Sequence, residues 1–456
     1  MGNIFDNSLP LRVTLLRFSE LLFTILALPL AYKLQTNHVF IGVNGTDALA
    51  GLVGASLVLC LYLIGFYEPA ITVHPIQSLS RIMQASGLIL VLIGSLLEAW
   101  VPALRTSQTI LLGMLFVVGG LTASRLVYAK VSHHPAFTQS AIVWGSGPLA
   151  ATIIRELGKR SDLGIRVVGV IDSTFAGEWC EGAPYLGTPE TLWPLADTHQ
   201  VQRLIIALDD RHDALPLERL MAVKAAGLNV EDAAELYEEL TGKVWLGTFT
   251  EEALLFSHRF RPSPVSTLLT GVFSRIFAAV VLAGAAPVMF VTALLIHCES
   301  RGPVLFKQTR IGKHGKPFTI LKFRSMKVES VGCSPAIADD PRFTRIGKWI
   351  RRFRLDELPQ LINILKGEMY LIGPRPFVPE QEESLVHAIP FYRQRWTVCP
   401  GATGWAQVHR DYCSSLEDNV EKLAYDLFYI KHVSLVLDVR VAFKTLRVVL
   451  FGRGGR

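Results

Sequence analysis

The sequence predicts five segments in order: a membrane α-helical bundle (residues 1–130), an α/β Rossmann-like domain (131–235), a linker (236–271), a re-entrant membrane helix (272–298) and a mostly α-helical monotopic domain (299–456). Three observations predict this. Half of the 456 residues are hydrophobic and only 18% are charged, and the mean hydropathy is +0.36, too apolar for an ordinary soluble protein. After residue 130 the apolar runs shorten and alternate with glycine turns, as strands and helices of a parallel sheet do. A further long apolar stretch near residue 285 then leads into a basic region dense in motifs.

Four apolar runs define the bundle, about Phe18 to Leu34, Ala48 to Phe66, Ile82 to Leu97 and Ile110 to Val127. Each approaches the roughly 20 residues that cross a bilayer. Arg12 and Arg17 precede the first run, Arg81 the third, and Arg125 and Lys130 close the fourth, against Lys33 and Arg105 on the other side. That bias places both ends of the bundle in the cytoplasm. The net charge of +6 and a pI near 9.0 suit anionic partners, lipid headgroups or phosphate-bearing substrates. The six cysteines are scattered without a CxxC pair or a zinc spacing, so reduced thiols are expected. No cleavable signal peptide is expected, because the first apolar run is long and lacks a small-residue cleavage site.

In the middle domain, AIVWGSGPLA (141–150) reads as strand, glycine turn and helix start, VVGVID (167–172) as a second strand and RLIIAL (203–208) as a third. Gly145-x-Gly147-x-x-Ala150 resembles a dinucleotide fingerprint, with Asp172 where a ribose-binding acid would sit. The favoured reading is a Rossmann-like fold whose glycine turn is only a turn, since fold does not fix function. The segment 272–298 is long enough to span a membrane, but Gly284 and Pro287 stand at its middle. A proline there removes a backbone donor and kinks a helix. A bend at Ala286-Pro287 would return the chain to the face it entered from and keep both soluble parts in the cytoplasm, whereas a straight span would separate them.

The C-terminal region centres on GKWIRRFRLDELPQLINILKGEMYLIGPRP (347–376). Arginines precede an adjacent acidic pair, Asp356 and Glu357, at the start of a short helix whose first turn accommodates Pro359. Taken alone, such a pair is more often a surface salt-bridge cluster. Around it lie KFRSM (322–326), GPRP (373–376) and PGATGWAQV (400–408).

With these motifs at these separations, the chain resembles the bacterial sugar transferases, that is, polyprenyl-phosphate sugar-1-phosphate transferases of the large, exopolysaccharide-initiating form. The resemblance is dense from about Arg275 to Arg456 and covers the whole chain in its arrangement of segments. It implies a phosphoglycosyl transferase domain over 299–456. It implies that Asp356 attacks the sugar-bearing phosphorus of a nucleoside diphosphate sugar, a UDP-sugar by expectation, and that undecaprenyl phosphate then takes the sugar phosphate from it. Glu357 would assist as base or, with Asp356, hold Mg²⁺. Arg351 and Arg375 would clamp phosphates, with Arg310, Lys322 and Arg324 as further basic groups that neutralise the electrophile. An anion at Asp356 would also be stabilised by the helix start.

Trp405 and Gln407 stay open between fold-forming and substrate-binding roles, and a basic patch of Arg440, Lys444, Arg447, Arg453 and Arg456 would face the membrane. Three departures from the family pattern stand out: Ala278 where an aspartate is frequent, Ala286-Pro287 where Ser-Pro is common, and His409-Arg-Asp-Tyr-Cys413 after the TGWAQV motif.

The expected partners are a nucleotide sugar, undecaprenyl phosphate and membrane lipid, with no nucleic acid. The expected location is the bacterial inner membrane, multi-pass, with the catalytic domain on the cytoplasmic face. A homo-oligomer stays open, as does the identity of the sugar. Two other classes compete: a membrane nucleotide-sugar dehydratase or epimerase, and a non-catalytic assembly protein. The first usually needs Tyr-x-x-x-Lys, and none of the eleven tyrosines has a lysine four residues on. The arginine-rich motif set argues against the second.

Overall fold

A computed structural model describes residues 107–132, 138–160, 163–173, 177–208, 217–247, 260, 262–327, 342–410 and 415–451, with a few positions between 16 and 22. The second and third apolar runs of the expected bundle lie outside the described residues. The fourth forms α1, Ser107–Ser132. Its Arg125 is buried and pairs with the buried Glu20 of the first run at 2.5 Å, so the two apolar runs are joined by a shielded ion pair. The chain divides into two compact units, residues 1–240 and 241–456.

In the first unit β1 (Gln139–Trp144), α2 (Pro148–Lys159), β2 (Ile165–Ile171), β3 (Trp179–Cys180), β4 (Ala183–Gly187), α3 (Leu192–Thr198), β5 (Val201–Ile206), α4 (Leu217–Ala225), β6 (Asn229–Asp232) and α5 (Ala233–Thr241) follow in order. The sheet order is β3-β4-β2-β1-β5-β6. All pairs are parallel except β3 with β4. This is the doubly wound parallel sheet that the alternation predicts. Ile142, Val143, Ile171, Leu204 and Ile205 are wholly buried, as strands covered on both faces require.

The glycine turn lies where the strand order reverses, between β1 and β5. Gly145 has φ +119°, and a Cβ there would stand 2.4 Å from the Ala207 carbonyl oxygen. The carboxylate of Asp172 accepts a hydrogen bond from Ser146 Oγ at 2.6 Å, so it is turned onto its own turn. Gly145→Ala should cost the first unit about 1–3 kcal/mol, seen as a lowered unfolding midpoint of the full chain.

The second unit opens with α6, Pro264–Glu299, which begins eight residues before the apolar segment read from sequence and runs without interruption through Ala286 and Pro287. It is the one described helix long and apolar enough to cross a membrane. Its 36 residues make a path of about 54 Å, longer than the roughly 30 Å hydrocarbon core. Then come β7 (Leu305–Ile311), β8 (Pro317–Phe323), α7 (Arg345–Arg352), α8 (Gln360–Lys366), β9 (Tyr370–Ile372), α9 (Pro379–Ala388), β10 (Gly401–Thr403), α10 (Trp405–His409), α11 (Leu416–Lys431) and α12 (Leu435–Phe451). β7 and β8 form an antiparallel hairpin, and β9 pairs with β10.

Both halves of α6 pack on this same unit. In the first half Ser274 Oγ accepts from Leu371 N at 3.1 Å, and Ala278 is buried with Leu361, Ile364 and Met369. That apolar packing is what occupies the position where the family often has an aspartate. Arg275, exposed on the same half, lies against Gly367, the residue that ends α8. In the second half Ile296 joins Phe323 and Ile350. The Glu299 carboxylate accepts from Arg345 N at 2.7 Å and Ile346 N at 3.1 Å, an anion set against the start of α7.

Candidate functional site

The acidic pair sits in a single 3₁₀ turn, Leu355–Glu357, between α7 and α8. α7 begins where Thr344 Oγ1 caps Gly347 N at 2.8 Å. It ends at Arg352, and two residues on, the left-handed backbone of Arg354 (φ +57°) turns the chain sharply into the 3₁₀ turn. Pro359 then holds helical dihedrals just ahead of α8. Asp356 therefore precedes the helix by a turn of its own. Leu355 belongs to the apolar cluster of the second half of α6, and Leu358 to that of the first half. The pair is thus held between two clusters that a single helix supplies.

The two carboxylates have different surroundings. Glu357 Oε1 accepts from Lys322 Nζ at 2.9 Å and from Arg375 Nη2 at 3.2 Å, and Arg354 Nη1 lies 4.0 Å from Oε2. Burial pushes the Glu357 carboxyl up, but Lys322, Arg375 and Arg354 outweigh it and hold it well below the usual carboxylate range. Asp356 is 8% exposed. Burial pushes its carboxyl up, the Glu357 charge adds to this, and Lys322, Arg351 and Arg354 offset only part. The stabilisation expected from the helix start is therefore outweighed by desolvation. Two adjoining carboxyls driven apart in this way can divide a task, one fixed as a charge and the other the more basic.

The cations are positioned from behind. Asn363, fully buried on α8, accepts from Leu321 N at 3.0 Å and donates to Thr319 O at 2.7 Å. It locks α8 to β8, the strand that carries Lys322. The GPRP segment is gripped on its backbone: Arg395 Nη2 donates to Arg375 O at 2.7 Å, and Arg310 Nη1 to Pro376 O at 3.2 Å. Arg395 is itself buried, with Nε on Asp426 at 2.8 Å and Nη1 on Tyr392 Oη at 2.6 Å. Gly373 and Gly401 pack backbone to backbone, where a Cβ on Gly401 would lie 2.1 Å from Gly373 N.

A cleft beside the pair is lined by Arg310, Lys322, Gln360, Arg375 and Gly401, with Ile320 and Pro376 as walls. Of the sequence-predicted residues, the structure brings Glu357, Lys322 and Arg375 into direct contact and puts Arg310 in the same cleft. Arg351 acts on Asp356 electrostatically but stacks on Phe343, 4.4 Å from the ring centre. Arg324 is elsewhere: buried, it donates to Ser300 O at 2.7 Å and Arg301 O at 3.0 Å, closing the end of α6. It does not line the cleft. Gln407 does not line it either, and its Oε1 is buried without a hydrogen bond among the described residues. Trp405 is a packing residue, buried with Nε1 on Gly242 O at 2.8 Å. Gln360 and Arg395 are the residues that pattern reasoning passed over. The one signal for Gln360 is a polar side chain opening the apolar run after Pro359.

Residues 265–452 match the family described as bacterial sugar transferase, and residues 62–215 match one described as a CoA-binding domain. The chain is 42% identical over 242 residues to a UDP-N-acetylgalactosamine-undecaprenyl-phosphate N-acetylgalactosaminephosphotransferase of Aeromonas hydrophila, covering 52% of this chain and 56% of that protein. It is 33% identical over 359 residues to an undecaprenyl-phosphate glucose phosphotransferase of Komagataeibacter xylinus (74% and 65%). It is 30% identical over 364 residues to a UDP-glucose:undecaprenyl-phosphate glucose-1-phosphate transferase of Xanthomonas campestris pv. campestris (74% and 73%). The chain thus spans little more than half of the first of these relatives. It belongs to the bacterial sugar transferase family.

Replacing Arg395 by Leu strands the buried Asp426 carboxylate without its cation. The expected cost is about 3–5 kcal/mol, measured as a lowered unfolding midpoint in detergent.

Proposed function

We propose that this chain transfers a sugar 1-phosphate from a nucleoside diphosphate sugar, a UDP-sugar, to undecaprenyl phosphate, and so starts the synthesis of an exopolysaccharide or related glycoconjugate. The observation that carries this is the split pair itself: a buried, more basic Asp356 next to a Glu357 held anionic by cations, both beside a cationic cleft. Family membership and the relatives' names support the substrate class.

In the first step an Asp356 carboxylate oxygen attacks the sugar-bearing phosphorus. The bond from that phosphorus to the bridging oxygen breaks, and the nucleoside monophosphate leaves with the electron pair. An oxygen of undecaprenyl phosphate then attacks the same phosphorus and frees Asp356. Arg375 and Lys322 lower the negative charge that the nucleophile must approach. Glu357 holds those two cations in place.

Mg²⁺ is proposed as cofactor. Among the described residues no group of three or more His, Cys, Asp or Glu is placed to hold a metal. Two hard carboxylates still fit this ion, which is commonly held by one or two carboxylates with substrate phosphates completing its shell. Asp356 accepts no hydrogen bond among the described residues, which leaves its oxygens open. Asp356 and Glu357 would hold the ion, and bound there it would neutralise diphosphate charge.

The re-entrant topology, the multi-pass bundle and the cytoplasmic placement of the catalytic unit belong to the same proposal. The packing of both halves of α6 on one unit supports it, because a helix crossing the bilayer straight would carry its second half away from the elements that hold its first.

Purified protein in lipid nanodiscs, given undecaprenyl phosphate and a panel of nucleotide sugars, should release nucleoside monophosphate with one or a few of them. Asp356→Asn should abolish release and Glu357→Gln should reduce it at least 100-fold. Undiminished turnover by Asp356→Asn would remove the covalent step. Cysteines introduced at Ser263 and Arg301, at the two ends of α6, should both be labelled from the cytoplasmic side in inverted vesicles. Labelling from opposite sides would make α6 a true span.

A further inference from the structure

Asp438 of α12 is a wholly buried carboxyl without a cation. Glu382 and Asp426, also buried in the second unit, both meet Arg395. No cation among the described residues pairs with Asp438, and its Oδ2 has no hydrogen bond there. Its Oδ1 lies 2.9 Å from Tyr429 Oη. The same buried Tyr429 oxygen lies 3.2 Å from the carbonyl oxygen of Ile372, the last residue of β9. A phenol carries one hydrogen. Beside an ionised Asp438, that hydrogen serves the carboxylate or the carbonyl but not both. Beside a protonated Asp438 both contacts are met: the carboxyl donates to Tyr429 Oη, and Tyr429 donates to Ile372 O. We infer that Asp438, when protonated, is a positioning residue that acts through Tyr429 to hold the backbone where it enters the GPRP segment, and that it releases this hold on ionising.

Ile372 stands just ahead of Gly373 and Arg375. Gly373 N donates to Thr403 O at 2.9 Å, and the carbonyls of Arg375 and Pro376 are taken by Arg395 and Arg310. The tie at Ile372 O is the part of this grip that depends on a proton. Burial pushes the Asp438 carboxyl up to about 6, and Tyr429 and Thr270 beside it offset only part of this. The groups that face it are Thr270 of α6 and Tyr429 of α11, with Tyr370 of β9 and Cys399 acting in turn on Tyr429. Burial raises Tyr429, Tyr370 and Cys399 above their ordinary values, so all three are neutral from about pH 5 to 8. Arg440, two residues along α12, is exposed. The proton on Asp438 is therefore the variable charge of this cluster. The alternative is a carboxylate kept anionic by the two hydroxyls. It would leave a full charge in the core with no cation and Ile372 O without the tyrosine's hydrogen.

Asp438→Asn reproduces the protonated form, since an amide can donate to Tyr429 Oη at every pH. Full-length wild type, Asp438→Asn, Tyr429→Phe and the double variant are compared in nanodiscs. The folded carboxyl keeps its proton up to about pH 6, an unfolded one only to about pH 4. The folded state thus binds the extra proton in that window, and wild type loses stability as pH rises through it. Asp438→Asn has no such loss. Its unfolding midpoint should exceed that of wild type by a margin that widens between pH 4.5 and 7.5, reflecting a change of about tenfold or more in the folded-to-unfolded ratio. The positioning effect rests on the transfer activity proposed above. The kcat/KM of Asp438→Asn relative to wild type should rise about threefold or more from pH 5.5 to 7.5. The same substitution made in Tyr429→Phe should give no rise, because the path to Ile372 is cut.

A midpoint that falls in Asp438→Asn at every pH, or a margin that stays constant with pH, makes Asp438 an anion or a packing residue and overturns the inference. A rise in relative kcat/KM that persists in the Tyr429→Phe background overturns it too, and so does a widening margin with an unchanged relative kcat/KM. A widening margin in protein that transfers no sugar phosphate keeps the proton on Asp438 and removes the transfer activity. Transfer by wild type with parallel midpoint curves removes the proton and keeps the activity.

Discussion

Two consecutive carboxylates in a half-buried turn repel each other, and the chain resolves this by giving nearly all of the compensating charge to one of them. Lys322 and Arg375 close on Glu357, and Arg354 approaches it. Asp356 is left desolvated and without a hydrogen bond among the described residues. Much of the second unit maintains this imbalance. Asn363 ties Lys322's strand to α8. Arg395, itself committed to Asp426, fixes the backbone from which Arg375 reaches forward. The glycines of GPRP and PGATG allow the two backbones that carry these groups to touch. A change at any of these supports alters a charge balance some distance from itself.

The same economy governs α6. It is the most apolar helix described, yet it contributes polar atoms at both ends: a serine hydroxyl to β9 and a glutamate carboxylate to α7. The residues between are largely exposed, among them Val280, Val288 and Phe290. Its ends are therefore built into a domain while its middle presents hydrocarbon. These directional polar contacts fix the register of the helix against the unit, which an apolar face alone would leave free to slide.

How much of this was legible in the sequence follows from the range of the interactions. The doubly wound sheet, the long apolar helix and the acidic pair are local patterns, and all are present. Lys322, Arg375 and Arg310 were legible only through the resemblance to the family, which groups their motifs with the pair. Arg324, in the same short motif as Lys322, was misplaced. Side chains of a strand alternate between faces only if the strand continues, and β8 ends at Phe323, so Arg324 turns back onto α6. Gln360 and Arg395 escaped for a different reason. Their places rest on how α8 packs for one and on a carbonyl twenty residues away for the other, and neither leaves a periodic trace. The environment of Asp356 was misjudged because helix-terminus stabilisation can be read from position, whereas desolvation depends on the finished packing.

The anchoring of α6 has a practical side. A fragment of the second unit that begins after residue 299 would look, from its composition, like a convenient soluble protein. It would lack the partner of Leu371 N, the Glu299 carboxylate at the start of α7 and the apolar faces on either side of the turn that bears Asp356. The long apolar helix is thus an integral core element of the domain that follows it, and the smallest piece of this chain that can be prepared with its site intact is one that still carries that helix and its exposed hydrocarbon face.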